Sequence, residues 1–429
     1  DRSPRGDLRG GCRYDHDDCS GNDHDDCSGN DHDDCSGNDH DDRPGHDDDD
    51  RPGHDDDRPG HDQVDLELAQ EVVHAVVLVG GEGTRLRPLT LSTPKQMLPI
   101  VERPMIERVL EHLAGHGVDQ AVLSLGYLPD AFIDAYPSGV VSGVSLTYAV
   151  EPSPLDTAGA IRFAAEHAGI DETFVVVNGD VLTDMDISTL VAFHRRREAE
   201  GTIALHPVSD PSAFGVVPTD DDGRVTAFVE KPPREEAPTN LINAGTYVLE
   251  PSFLERVPAE RRVSIERETF PAMARGGRLF ALADEAYWLD TGTPADYLQA
   301  HRDLLEGRRG SPPLAGARRQ GELWLSGDAK VDGKTAGACL VADGAVVAEG
   351  ARIERSVVGA GCVVEEGAVV SSSVMLPGAR VAAKSTVAGS IVGPGSIIGM
   401  RCDVRPLSVI GAGVVVASGT EVDGERIPN

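Results

Sequence analysis

Apolar residues along this chain follow two contrasting rhythms. Before residue 306 they come as short unbroken runs, Ala75-Val-Val-Leu-Val79 and Phe174-Val-Val-Val177 among them. Such a run predicts a strand buried on both faces, as in a parallel sheet with helices on either side. Between these runs, Ile106, Val109, Leu110 and Leu113 recur at helical spacing and predict a helix over 104–113. After residue 323 the rhythm shortens. Val341, Val347, Ile353, Val358, Val364, Val370, Leu376, Val381, Val387, Val392, Ile398, Val404, Ile410, Val416 and Val422 follow in steps of six, with three steps of five. That period predicts a hexapeptide β-helix, each turn stacking its aliphatics on the next. A β-sandwich would show longer strands and alternation instead. Residues 307–322, rich in Gly, Pro and Arg, read as a linker between the two halves.

The chain has 429 residues, of which 40% are hydrophobic, enough for two or three packed units. Its formal charge of −33 is partly local: residues 1–62 carry 22 Asp and 7 Arg, leaving −18 for the other 367. An acidic surface argues against nucleic acid as a partner, though not against a small phosphorylated substrate held by a few local groups. No apolar run approaches the roughly 20 residues of a membrane helix, and a soluble, cytoplasmic protein is expected. Four of the 7 cysteines lie in the tail, and Cys339, Cys362 and Cys402 lack the spacing of a disulfide framework or zinc site.

From Asp15 the unit Asp-His-Asp-Asp-Cys-Ser-Gly-Asn repeats three times and then degenerates towards Asp62. Such composition buries no core, so 1–62 is expected to be a disordered tail. It could hold Ni²⁺ or Zn²⁺ loosely. The first Met is Met97, and the native start is expected near Val64 or Leu66.

The run ending at Val79 leads directly into Gly80-Gly-Glu-Gly-Thr-Arg-Leu-Arg-Pro-Leu-Thr90, followed by Pro94-Lys95. Glycines after a strand let backbone N–H groups approach a phosphate or a base. A Walker A loop is excluded because Thr84-Arg85 follows Gly83, and a dinucleotide fingerprint because Leu86 stands where its third glycine belongs. This segment resembles the signature of the sugar nucleotidyltransferases, the NDP-sugar pyrophosphorylases. The resemblance implies a Rossmann-like α/β domain with a mixed, mostly parallel sheet over 72–306, followed by a left-handed parallel β-helix over 323–429.

By the same resemblance, Val79, Gly80, Gly81, Gly83 and Thr84 wrap the nucleotide, Arg85 meets its triphosphate, and Lys95 sits beside the reacting phosphates. Glu151-Pro-Ser-Pro-Leu-Asp-Thr-Ala-Gly159 is similar to the base-contacting segment, placing Thr157 and Ala158 at the nucleotide; Asp156 replaces the usual glycine. Asn178-Gly-Asp180 closes a buried run, and Asp180 would pair with Asp290 of Trp288-Leu-Asp-Thr-Gly-Thr293 as Mg²⁺ ligands. Gly179 and Gly215 would line the sugar side, Glu230 and Asn243 would bind its hydroxyls, and Lys231 its phosphate.

The reaction implied is attack of a hexose 1-phosphate on the α-phosphorus of an NTP, releasing pyrophosphate. Ile242-Asn-Ala-Gly245 and Ser264-Ile-Glu-Arg-Glu-Thr-Phe-Pro271 most resemble members that join GTP to mannose 1-phosphate. Glucose-1-phosphate thymidylyl or adenylyl transfer, and a catalytically silent regulatory subunit, are the alternatives. Acyl transfer by the β-helix is disfavoured because no His follows His301. Its expected role is assembly into a homo-oligomer or regulation.

Overall fold

The computed structural model describes residues 74–259, 261–309 and 313–428. The expectations placed on residues 1–62 lie outside them. Four parallel strands form the centre of a mixed sheet, in the spatial order Phe174–Asn178, His74–Leu78, Gln120–Leu125, Val144–Val150. Their side chains alternate between two cores, as strand geometry requires. Ala75, Val77, Val175 and Val177 pack with Ile106, Leu110, Leu113 and Leu190 on one face. Val76, Val122, Phe174 and Val176 pack with Ile161, Ala164, Ala165 and Phe270 on the other. The helix expected over 104–113 runs from Met105–Gly115.

Beyond Phe174–Asn178 the sheet turns antiparallel through Leu241–Leu249 and Gly201–Pro207. The register of that pairing shifts between Asn243 and Tyr247, where Gly245 takes φ +76°. The shifted front end of Leu241–Leu249 pairs with Gly215–Val216, which carries Val229–Glu230 on its far side. A separate two-stranded ribbon pairs Val181–Thr183 with Trp288–Asp290, setting Val181 opposite Asp290.

The second half is a left-handed parallel β-helix of three sheets. Val341 stacks on Val358, Val358 on Met375, and Met375 on Val392, so each of these coils spans 17 residues. Val392 stacks on Ile410 with one residue more. One expected interior position changes: Met375 fills the coil, whereas Leu376 faces the first half. Both neighbours are apolar because both sides of the coil wall are buried there. The segment read as a linker also contains a strand, Arg318–Gln320, antiparallel to Leu323–Leu325.

One outer face of the β-helix is covered. Leu340, Val357, Val374, Ile391 and Val409 are buried against Leu86, Leu89, Leu98, Ile100, Tyr297 and Leu304. Burying an aliphatic side chain of this kind contributes about 1.5–3 kcal/mol. Polar contacts fix the register: the Ala360 N–H donates to Glu102 Oε2 at 3.0 Å, and Arg108 reaches Ile100 O at 2.8 Å and Pro313 O at 2.9 Å. Among the described residues no helix is long and apolar enough to cross a membrane.

Candidate active site

Parallel strands deliver their carboxyl ends to one rim, where open α/β sheets bind ligands. Here that rim holds a cleft of about 420 Å³, lined by Gly80, Gly81, Lys95, Gln96, Ser124, Glu151, Asp156, Thr157, Asn178, Asp180 and Arg262, among others. The glycine loop is braced from below. Gly83 adopts φ +60°, and its carbonyl accepts from Leu86 N at 2.9 Å and Thr90 Oγ1 at 2.8 Å. A β-carbon on Gly80 would press on Glu151 Oε1 and Gly126 N, whereas Gly81 faces open space. Leu86, buried against the β-helix, anchors the turn that carries Arg85.

Lys95 is 10% exposed at its side chain and donates to Asp180 Oδ2. Thr291 holds the Asp180 carbonyl with both N and Oγ1 at 3.1 Å, which locks the two motifs together. Arg85 Nη2 approaches Asp290 Oδ2 at 3.9 Å. A β-carbon on Gly292 would meet the Arg85 guanidinium and Asp290 Oδ1, so glycine leaves room for this approach. Burial and the facing Asp180 charge push the Asp290 carboxyl well above its ordinary range, against the opposing pull of Lys95 and Arg85. Asp290 Oδ1 is moreover buried without a hydrogen-bond partner. Two carboxylates in mutual repulsion, one with an orphaned oxygen, suit a hard divalent cation. Among the described residues no cluster of three or more His, Cys, Asp or Glu could complete such a site.

A second polar group adjoins the cleft across Asn178, whose amide sits tightly against Gly245. Asn243 Nδ2 donates to Tyr247 Oη at 2.9 Å and its Oδ1 accepts from Gly245 N at 3.0 Å, which fixes its orientation. Glu230 pairs opposite Gly215 at the edge of the main sheet, and Lys231 Nζ lies 3.3 Å from Glu230 Oε1. Trp288 donates through Nε1 to Ala244 O at 2.9 Å, stacks on His206 and meets Phe214 edge-on.

Arg, Lys and paired carboxylates converging on a glycine-lined cleft are the parts that transfer of a phosphoryl or nucleotidyl group requires. Comparison with known proteins gives the same class: the nucleotidyl transferase family description matches residues 74–307. The chain belongs to the nucleotidyl transferase family. Its enzyme class is that of the sugar-1-phosphate nucleotidylyltransferases. A second description, the GMPPB C-terminal domain, matches residues 335–429. The chain is 41% identical to a mannose-1-phosphate guanylyltransferase of Mycobacterium tuberculosis over 300 residues, which is 67% of this chain and 83% of that one. It is 43% identical to a mannose-1-phosphate guanyltransferase of Emericella nidulans, over 52% of this chain and 62% of that one, so it spans less than two thirds of the fungal relative. Among solved structures, HddC from Yersinia pseudotuberculosis aligns with 54% of this chain and 99% of its own, at 31% identity and a TM-score of 0.48.

Within this nucleotidyl transferase chain, the expected residues divide into four groups. Gly80, Gly81, Lys95, Thr157 and Asp180 line the cleft, with Arg85 and Asp290 paired beside it. Val79 and Ala158 are buried in the cores beneath it, and Gly179 packs against Val79. Gly83 and Thr84 shape the loop. Gly215, Glu230, Lys231 and Asn243 form the adjoining group. Sequence reasoning gave no role to Gln96, Ser124, Asn178 or Arg262. Gln96 is 2% exposed, and its Oε1 lacks a partner; adjacency to Lys95 was the available signal. Ser124 lies within a strand run and shows no local sign of its place.

Proposed function

We propose that the protein joins GTP to mannose 1-phosphate, giving GDP-mannose and pyrophosphate. The observation that carries this reading is the pairing of Lys95 with Asp180 in the cleft, with Arg85 and Asp290 paired beside it. The chain around it aligns with most of a mannose-1-phosphate guanylyltransferase. On this reading residues 72–306 form the catalytic unit, and residues 323–429 serve assembly into a homo-oligomer.

The glycine loop offers backbone N–H groups to the nucleotide, and Thr157 closes the far side. Lys231 holds the sugar phosphate, while Glu230 and Asn243 bind the sugar hydroxyls. A sugar-phosphate oxygen attacks the α-phosphorus in line, and the bond to pyrophosphate breaks on the opposite side. Arg85 and Lys95 offset the charge that develops on the departing pyrophosphate. Asp180 and Asp290 would hold Mg²⁺, which when bound neutralises phosphate oxygens. Positioning and charge suffice for this transfer, so no covalent nucleophile is required.

Pyrophosphate release tests the reading when GTP, ATP and dTTP are each paired with mannose 1-phosphate or glucose 1-phosphate. GTP with mannose 1-phosphate is expected to give the highest kcat/KM. Preference for another pair replaces the substrates. Silence across the panel overturns catalysis in favour of a regulatory subunit.

A further inference from the structure

Asp156 stands where the similar segment of related enzymes carries glycine, and its backbone shows why glycine suits the position. Its φ is +61°, in the left-handed region that glycine adopts freely and that Asp and Asn tolerate better than other side chains. Asp satisfies this backbone less freely than glycine would, and it adds a carboxylate that glycine lacks. It lines the same cleft as Lys95 and Asp180, but it follows strand Val144–Val150, three places along the sheet from Phe174–Asn178. At about 4.8 Å per strand the ends of these two strands lie roughly 14 Å apart, which sets Asp156 towards the end of the cleft away from Asp180.

Two carboxylates occupy that end of the cleft. Glu151 has both oxygens engaged, one by Ser124 Oγ at 3.2 Å and the other by Leu155 N at 2.9 Å. Asp156 is less committed. Oδ1 takes Thr157 N at 3.3 Å, and Oδ2 faces Arg262 Nη2 at 3.7 Å, beyond hydrogen-bond length, with both side chains well exposed. A carboxylate accepts only, and among the common bases guanine alone presents two adjacent donors, N1–H and the 2-amino group. Its neighbouring O6 accepts from a guanidinium.

We infer that Asp156 specifies the base, its carboxylate accepting guanine N1–H and the 2-amino group while Arg262 donates to O6. The inference rests on GTP being the nucleotide substrate.

The test is kcat/KM of the full-length protein for GTP, ITP and XTP, each with mannose 1-phosphate. ITP lacks the 2-amino group, and XTP carries a carbonyl acceptor in its place. The parent is expected to favour GTP over ITP by about tenfold or more, the discrimination typical of one bidentate pair. Asp156→Gly suits the backbone and should bring that ratio to within about twofold of unity. Asp156→Asn keeps the shape but places an amide donor opposite xanthine O2, so its XTP to GTP ratio should rise about tenfold or more. General damage lowers all three substrates together and moves neither ratio. A GTP-using parent whose GTP to ITP ratio survives Asp156→Gly, or an Asp156→Asn variant without the XTP gain, overturns the inference alone. A parent that uses ATP or dTTP and not GTP overturns it together with the proposed substrate.

Discussion

Both halves of this molecule are built from parallel strands, but they end them differently. In the α/β half each strand leaves the sheet through its own sequence: Val79-Gly80 after the first, Glu151 after Val144–Val150, Gly179-Asp180 after Phe174–Asn178. Different endings gathered on one rim bring Lys95, Asp180 and Asp290 within reach of one another. In the β-helix the coils from Val341 onward repeat at 17 or 18 residues, and the stacked interior stations are mostly Val, Ile or Met, with Ala and the buried Cys339, Cys362 and Cys402 between them. Repetition makes a wall whose buried residues, among those described, include no charged side chain. The wall bears on the other half all the same, because Leu86 and Leu98, flanking Arg85 and Lys95, are buried against it. Chemistry therefore sits where the pattern is broken, and support where it is kept.

Changes on the two sides of this contrast should have separable effects. The largest is expected at the rim: Lys95→Ala should lower kcat about 10²–10³-fold by removing a charge aimed at the pyrophosphate. Far-UV circular dichroism should stay as in the parent. A loss of less than tenfold would remove Lys95 from the reaction. Within the wall the reverse is expected. Ile398 is fully buried in the β-helix, so Ile398→Ala should destabilise by about 2–5 kcal/mol in a denaturant titration. Turnover per folded molecule should be unchanged; a parallel loss of both would erase the distinction between the halves.

The junction should respond on both scales. Glu102→Ala leaves the Ala360 N–H without its acceptor, at about 1–3 kcal/mol. Turnover should fall less than tenfold, through the hairpin that pairs Pro99–Ile100 with Arg103–Pro104 and carries Glu102 at its turn. Full retention of stability would show that this contact does not hold the halves together. At neutral pH the smallest effect is a pH dependence, which grows only on acidification. Burial, reinforced by Arg108, pushes His301 down to about 3, and its Nδ1 accepts from Val101 N at 3.2 Å. Below about pH 6.5 the unfolded chain takes up a proton that the folded chain refuses, so this contribution to stability falls as pH drops from about 6.5 towards 3. The slope should be at most about 1.4 kcal/mol per pH unit. Thermal midpoints across that range should show a shallower slope in His301→Gln; an unchanged slope would assign the acid sensitivity elsewhere.

Much of this organisation is legible along the chain. Unbroken apolar runs mark the central strands, and the six-residue period marks the β-helix. Asp180 and Asp290 are visible as motif positions, but their adjacency arises from a ribbon of three-residue strands, too short to show a period. Met375 and Leu376 illustrate a different limit. Periodicity identifies an apolar position, and it cannot choose between neighbours when the coil interior and the docking face are both dry. Ser124 and Arg262 gain their places only from strands and loops distant in sequence. The left-handed backbone at Asp156 is likewise hidden, although a glycine at that station in similar segments hints at it.

The most direct measurement compares pyrophosphate release by the parent and by Asp180→Asn, with GTP, mannose 1-phosphate and Mg²⁺ all saturating. If the Asp180–Asp290 pair is the reaction centre, the parent turns over and the variant loses about 10³-fold or more of kcat. Turnover in Asp180→Asn equal to the parent's would contradict that centre.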